Sequence, residues 1–212
     1  MMDLQNLTDL QMDVLREIGN VGAGNAATSM AKLMNKKVDM KVPAIKVIQF
    51  EEVMDLVGGP EKMIAAIIFR IQGEAPGTVF FILNQLEASV LVDQITNHAV
   101  ALFDEYDQVN TMAISVLQEI GNILTGSYLS ALSDFTGINM QPSVPYFGMD
   151  MASAILVEGL LTLANVSDYA LIVDTQINGE EDGTEVTGQF LLLPDPESFP
   201  KMFHSLGITG YE

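Results

Sequence analysis

Residues 13–24 read Asp-Val-Leu-Arg-Glu-Ile-Gly-Asn-Val-Gly-Ala-Gly, and residues 115–126 read Ser-Val-Leu-Gln-Glu-Ile-Gly-Asn-Ile-Leu-Thr-Gly. Seven of the twelve positions are identical, each at a separation of 102: Val14/Val116, Leu15/Leu117, Glu17/Glu119, Ile18/Ile120, Gly19/Gly121, Asn20/Asn122 and Gly24/Gly126. Similarity at a fixed offset is the mark of a repeated structural unit. The offset carries on to Val42-Pro43 and Val144-Pro145. Farther along, Gly73-Glu74 resembles Gly179-Glu180, and Leu83 and Glu87 resemble Leu193 and Glu197 at a slightly larger offset. The extra residues fit the acidic stretch Gly179 to Gly183, which reads as a lengthened hairpin turn.

Each half shows the same order of elements. A long helix is predicted first, over Thr8 to Met34 and over Asp107 to Thr136. Leu10, Val14, Ile18 and Val21 recur at helical spacing in the first, as do Val116, Leu117, Ile120, Ile123 and Leu124 in the second. Thr8 with Gln11 forms a capping box. Strands follow at about Val38–Ile48, Lys62–Gln72 and Thr78–Leu83, and again at Ile138–Val144, Ala170–Ile177 and Val186–Leu193. A short helix closes each half, at Gln85–Asn97 or Glu197–Leu206. An extra amphipathic helix is expected over Met149–Leu163, with Asp150 or Ser153 as its cap. Turns such as Gly73 to Gly77 join neighbouring strands, which favours antiparallel pairing.

The expected fold is therefore α+β: an internally duplicated, pseudo-two-fold domain with a mainly antiparallel sheet and two long motif-bearing helices on one face. The two sheets are expected to merge. Residues 1–212 then form a single domain of two repeats, about 8–104 and 107–208, with no Ser/Pro/Gly linker between them.

Composition narrows the function classes. Asp and Glu number 28 against 9 Lys and Arg, a formal net charge of -19. Nucleic-acid binding needs basic patches, and anionic membrane surfaces attract them, so neither partner is expected. The absence of cysteine excludes disulfides, cysteine zinc sites and thiol nucleophiles. The N-terminal stretch has no basic and apolar signal regions, and the apolar runs Met63–Phe69 and Val79–Leu83 are too short to span a bilayer. A cytoplasmic protein is expected. His98 and His204 lie far apart and read as structural or surface imidazoles.

On a helix, Asp13, Glu17 and Asn20 share one face, because residues three and four apart are neighbours. Ser115, Glu119 and Asn122 do the same. The helix carries Gly19, Asn20, Gly22, Gly24 and Asn25 in its middle. Each Gly costs about 1 kcal/mol there relative to Ala. Something other than helix stability selects these residues, and small residues let another surface approach the backbone. That Glu and Asn persist in both copies marks them as candidate functional residues.

The pattern Asp/Ser-x3-Glu-x2-Asn, then 22 residues and Pro, resembles the signature of the CheC, CheX and FliY phosphatase family. It occurs twice: Asp13, Glu17, Asn20, Pro43, and Ser115, Glu119, Asn122, Pro145. Length, element order and duplication are most similar to CheC-type members. FliY-type members add a flagellar-switch domain for which this chain is too short. The resemblance implies a phosphatase acting on the aspartyl phosphate of a CheY-like response regulator. Asn20 and Asn122 would orient the attacking water, and Glu17 and Glu119 would dock the regulator. Asp13 and Ser115 would support them, and Pro43 and Pro145 would be structural. No cofactor of its own is implied, since the regulator supplies Mg2+. A second partner is implied, the receptor deamidase CheD, with the Met149–Leu163 helix and Asp150 as the candidate surface. A monomer is expected.

Two other functions compete. One is a non-catalytic module that recruits CheD or a flagellar-switch component. The other is a small-molecule hydrolase using Glu17 and Glu119 as a carboxylate pair, which needs them within roughly 10 Å. The run Gly22-Ala-Gly24-Asn-Ala-Ala27 imitates a dinucleotide fingerprint but lacks the preceding strand. Glu51-Glu52 and Glu180-Glu181-Asp182 lack the spacing of a calcium loop and read as solvated turns. The 13 methionines read as core filler.

Overall fold

Thr8 starts the first helix because its hydroxyl accepts from the Gln11 backbone N–H while the Gln11 side chain accepts from the Thr8 N–H. This reciprocal box satisfies two donors that the first helical turn leaves without partners. The helix α1 runs Asp9–Met34 and ends where Asn35 adopts a left-handed conformation (φ 50°). The computed structural model describes residues 8–49, 52–161, 169–179, 185–195 and 197–207.

After α1 come β1 (Val38–Gln49), a short α2 (Val53–Leu56), β2 (Met63–Gly73), β3 (Gly77–Asn84) and α3 (Gln85–Ile95). The second half supplies α4 (Thr111–Thr136), β4 (Met140–Pro142), β5 (Tyr146–Met151), α5 (Ala152–Leu161), β6 (Tyr169–Gly179), β7 (Glu185–Pro194) and α6 (Ser198–Ser205). Helix α4 starts at Thr111 and not at Asp107, because Asn110 caps it by accepting from the Met112 N–H at 2.9 Å. Gly137 ends it in the left-handed region, at φ 68°.

The seven strands among the described residues form one antiparallel sheet in the order β1-β6-β7-β3-β2-β4, with β5 also on β2. In the repeat, β2 corresponds to β6 and β3 to β7. The first strand of each half therefore pairs with the other half: β1 lies beside β6, and β4 and β5 lie beside β2. The central β3–β7 pairing, from Gly77 opposite Pro194 to Ile82 opposite Gln189, joins the halves across the pseudo-two-fold.

The repeated prolines act on the two edges. Proline has no N–H to give a ladder. Pro43 lies where the β1–β6 register shifts, between Lys41 and Ala44. Pro145 lies in the gap that splits the second copy into β4 and β5. Ser143 bridges that gap: its N–H donates to the Arg70 carbonyl (2.8 Å) and its Oγ accepts from the Arg70 N–H (3.0 Å).

Helices α1 and α4 cover one sheet face. Leu15, Ile18, Leu117, Ile120 and Leu124 pack there with Phe69, Phe81 and Phe190. A smaller cluster on the other face joins Ile64, Phe80, Leu191 and Ile172 to Val53 of α2 and to Ala152, Ile155 and Leu156 of α5. Several methionines of the sequence, among them Met30, Met40, Met140 and Met202, are buried, whereas Met63, Met112 and Met151 are exposed.

The expected Met149–Leu163 helix is corrected at its start. Residues 149–151 belong to β5, where Asp150 lies opposite Ile64 and Met149 opposite Ala65. The helix begins at Ala152, so Asp150 and Ser153 are not its caps. The ladder to β2 offers these backbone groups partners that a helix end would lack. Residues 162 and 163 of that expected helix lie outside the described residues, as does most of the Gly179–Gly183 turn. Leu10, read as part of the apolar stripe of α1, is 74% exposed and takes no part in the core.

Where α1 meets α4, the buried Tyr128 ring lies against Gly22. Its hydroxyl is 3.0 Å from Thr175 Oγ1, and its ring tilts against Phe190 at 4.8 Å. Burial pushes the phenol up to about 12, with the Thr175 hydrogen bond acting weakly the other way. The ordinary value is 10.0, so the folded chain holds this proton more tightly than the unfolded chain. The associated stability is intact below pH 10 and falls as pH rises from 10 toward 12. The loss is on the order of 2 kcal/mol. Urea titrations across this range should show a shallower alkaline decline for Tyr128→Phe than for the unsubstituted chain.

Candidate functional site

Helix α1 buries Leu15, Ile18, Gly19, Gly22, Ala23, Ala26 and Met30. Its opposite face presents Asp13, Glu17 and Asn20 to solvent. Helix α4 buries Leu117, Ile120, Gly121, Leu124 and Tyr128, and presents Ser115, Glu119 and Asn122. Every catalytic candidate from the sequence is thus exposed on the outer side of its helix. Among the described residues, no hydrogen bond or ion pair engages the side chains of Glu17, Asn20, Glu119 or Asn122.

The flanking candidates are engaged within their own helices. Asp13 Oδ1 accepts from Arg16 Nη1 at 2.6 Å, and Ser115 Oγ donates to the Thr111 carbonyl at 3.1 Å. Neither is hydrogen-bonded to the motif Glu or Asn. Arg16 spends its charge on Asp13 and leaves Glu17 unpaired. At the corresponding place in α4, Gln118 Nε2 donates to the Pro145 carbonyl at 3.1 Å. Gln118 lies between Ser115 and Asn122 on the helix surface, being three and four residues from them. The motif proline of the second copy is therefore tied to the motif helix. The sequence reading missed Gln118. Its one signal was that Pro recurs at a fixed distance from Asn.

The glycines split into two groups. A Cβ on Gly19 would come within 2.9 Å of Ile45 Cδ1, one on Gly22 within 2.5 Å of Tyr128 Cδ1, and one on Gly121 within 2.7 Å of Ile67 Cγ2. The surface that comes close to these three is the protein's own. Gly24 and Gly126 have nothing within 4 Å of such a Cβ.

Helices α1 and α4 are antiparallel. Leu15 and Ile18 share a small apolar cavity with Leu129 and Leu132, whereas Gly22, farther along α1, meets Tyr128. By the repeat, the counterpart of the Gly22–Tyr128 contact is Ala26 with Leu124, which centres the crossing near Gly24 and Gly126. Glu17 and Glu119 then lie on opposite sides of the crossing, roughly 20 Å apart along the helices at about 1.5 Å per residue. That exceeds the span of an acid–base carboxylate pair, so the small-molecule hydrolase reading fails.

The dinucleotide imitation fails too, because Gly22 and Gly24 lie inside α1. Glu52 accepts from the Gln49 N–H at 2.9 Å, while Glu51 and the Glu180–Asp182 run lie outside the described residues. His98 pairs with Asp93 at 2.6 Å and His204 is exposed in the last turn of α6. Among the described residues, no cluster of three or more His, Asp or Glu could hold a metal ion. Nor is any described helix long and apolar enough to cross a membrane. Asp150 is exposed on β5, its Oδ1 accepting from the Met151 N–H at 2.7 Å.

Residues 10–47 and 112–149 each match the model of the CheC-like family, one match on each motif helix and the strand after it. Over 199 residues the chain is 40% identical to the CheY-P phosphatase CheC of Bacillus subtilis (strain 168), covering 94% of this chain and 95% of that one. The chain belongs to the CheC-like family. Its fold is similar to that of Thermotoga maritima FliY (TM-score 0.71, 18% identity, 95% of this chain and 98% of that one). It is also similar to that of the FliM middle domain from H. pylori (TM-score 0.67, 12% identity, 94% and 99%). At such identities the likeness concerns the architecture: a mainly antiparallel sheet carrying two long helices. In this CheC-like chain those helices bring one Glu/Asn pair each to the surface.

Proposed function

We propose that this chain is a phosphatase that hydrolyses the aspartyl phosphate of a CheY-like chemotaxis response regulator at two sites, Glu17/Asn20 and Glu119/Asn122. The observation that carries this reading is the pair of Glu/Asn side chains, identical in both repeats, exposed and unengaged on the two motif helices. The 40% identity to a CheY-P phosphatase over nearly the whole chain supports it.

The chemistry asked of the site is modest. An aspartyl phosphate is an activated acyl phosphate, and its hydrolysis needs mainly an in-line water and compensation of phosphoryl charge. The regulator brings Mg2+ with its phosphoaspartate. The Asn side chain reaches into the regulator's site. Its neutral amide oxygen accepts a hydrogen bond from the water and adds no charge to repel the phosphoryl oxygens. The water oxygen attacks phosphorus, the P–O bond to the aspartate breaks, and inorganic phosphate and a free carboxylate result. The Glu, one helical turn away, fixes the docking register by pairing with a cationic group of the regulator.

The receptor deamidase CheD is the proposed second partner. The face of α5 first assigned to it is taken by the core: Ala152, Ile155 and Leu156 are buried. Met151 and Val157 stay 48% and 42% exposed and, with the exposed Asp150, form the remaining candidate surface. Asp150→Lys is expected to weaken CheD capture in a pull-down while regulator dephosphorylation stays unchanged.

The test of the main reading is direct. A regulator phosphorylated with a small-molecule donor should lose phosphate faster when this chain is added. No acceleration with a regulator that binds the chain would exclude catalysis.

A further inference from the structure

Gly24 and Gly126 lack the packing reason that explains the other helix glycines. Gly19, Gly22 and Gly121 meet side chains that leave no room for a Cβ, yet Gly24 and Gly126 face open space. Both sit inside long helices, where glycine is the most destabilising residue after proline. Both copies keep it.

Their position relates them to the site. In α1, Leu10, Asp13, Glu17, Asn20 and Gly24 are spaced three, four, three and four residues apart. In α4, Met112, Ser115, Glu119, Asn122 and Gly126 repeat that spacing. Such spacing lays side chains in one stripe along a helix, the geometry of a seam against another element. The far end of each stripe from the glycine is a large apolar side chain, Leu10 at 74% and Met112 at 58% exposure. The Glu/Asn pair thus lies between an exposed apolar residue and a bare stretch of backbone, twice.

We infer that each phosphatase site extends over this whole stripe: the regulator packs an apolar patch on Leu10 or Met112 and sets its backbone directly against Gly24 or Gly126, which positions it over the Asn. The inference rests on the phosphatase reading. The stripe is about 20 Å long at 1.5 Å per residue, enough to hold a partner in one orientation. Glycine is required at its end because a methyl group would hold the regulator's backbone away from the helix and tilt it off the Asn. Gly24 and Gly126 are positioning residues and touch no reacting atom.

The test exploits the empty space around both glycines. In the double variant Gly24→Ala/Gly126→Ala the free chain should melt a few degrees higher, as expected for a stabilised chain of this size. KM for the phosphorylated regulator should rise about tenfold, equivalent to about 1.4 kcal/mol, with kcat little changed. Leu10→Ser/Met112→Ser, at exposed positions, should raise KM in the same direction. An unchanged KM in an active, more stable glycine variant defeats the docking stripe and leaves the phosphatase reading standing. A lowered melting temperature also defeats it, because the glycines then serve the fold. So does a change in oligomeric state without a change in KM, which would make a second copy of the chain the occupant. If the unsubstituted chain dephosphorylates no regulator, the phosphatase reading fails and the stripe falls with it.

Discussion

Asn20→Ala combined with Asn122→Ala lowers the dephosphorylation rate of the regulator by on the order of 10²-fold, the usual cost of losing one preorganised polar group at a reacting centre. Both side chains are exposed and engage no partner among the described residues, so their loss costs the fold almost nothing. The two single variants rank the sites, because the crossing of α1 and α4 sets the motifs apart as separate surfaces. Their surroundings differ: Asp13 and Arg16 pair beside Asn20, whereas Gln118 and the Pro145 loop flank Asn122. Unequal residual activities are therefore expected. Stopped-flow phosphate release with unchanged melting curves is the measurement. A double variant as active as the unsubstituted chain would remove Asn from the mechanism.

Gly22→Ala destabilises the chain by about 1–3 kcal/mol, although alanine is the better helix former. The new Cβ would stand 2.5 Å from Tyr128 Cδ1 and 3.1 Å from Tyr128 Cα. A ring can rotate, but a backbone atom of α4 moves only with its helix. Tyr128 is also held by Thr175 and Phe190, so the displacement spreads into the core between α1, α4 and the sheet. The melting temperature should fall by about 2–4 °C for each kcal/mol. Phosphatase activity of the folded fraction should survive, since the polar faces of both helices are untouched. A Gly22→Ala chain as stable as the unsubstituted one would show that the two helices can part at no cost.

These two expectations separate what the repeat alone leaves mixed. Gly19, Gly22 and Gly24 stand in one run of sequence and look alike there. In the folded chain the first two admit β1 and α4, and the third faces solvent. Polar residues fared better. Glu17, Asn20, Glu119 and Asn122 fall on the exposed faces the helical period predicts, opposite Ile18 and Ile120. Of the apolar positions named in the two helical stripes Leu10 is the exposed one, because the first turn of α1 lies outside the core, and hydrophobicity alone gives no sign of that.

The long helices, the closing helices and the antiparallel sheet were legible because each depends on local pattern: helical period, capping box and turn residues. The segment 146–151 was not. Its residues suit either a helix or a strand, and the choice is made by β2, whose backbone pairs Met63–Ile68 with Met151–Tyr146.

Repetition and helical periodicity are local properties of the chain, and from them alone it reads as a duplicated α+β unit with one Glu/Asn pair per long helix. That β1 pairs with β6, and β4 and β5 with β2, so that each half completes the other's sheet, is visible only in the folded chain. The antiparallel crossing of α1 and α4 is likewise a tertiary property, and it puts the two Glu/Asn pairs on opposite sides of the crossing. Such pairings join residues 67 (Gly73 with Met140) to 141 (Val38 with Gly179) positions apart. They are set by which faces bury together, and no local stretch of sequence records that.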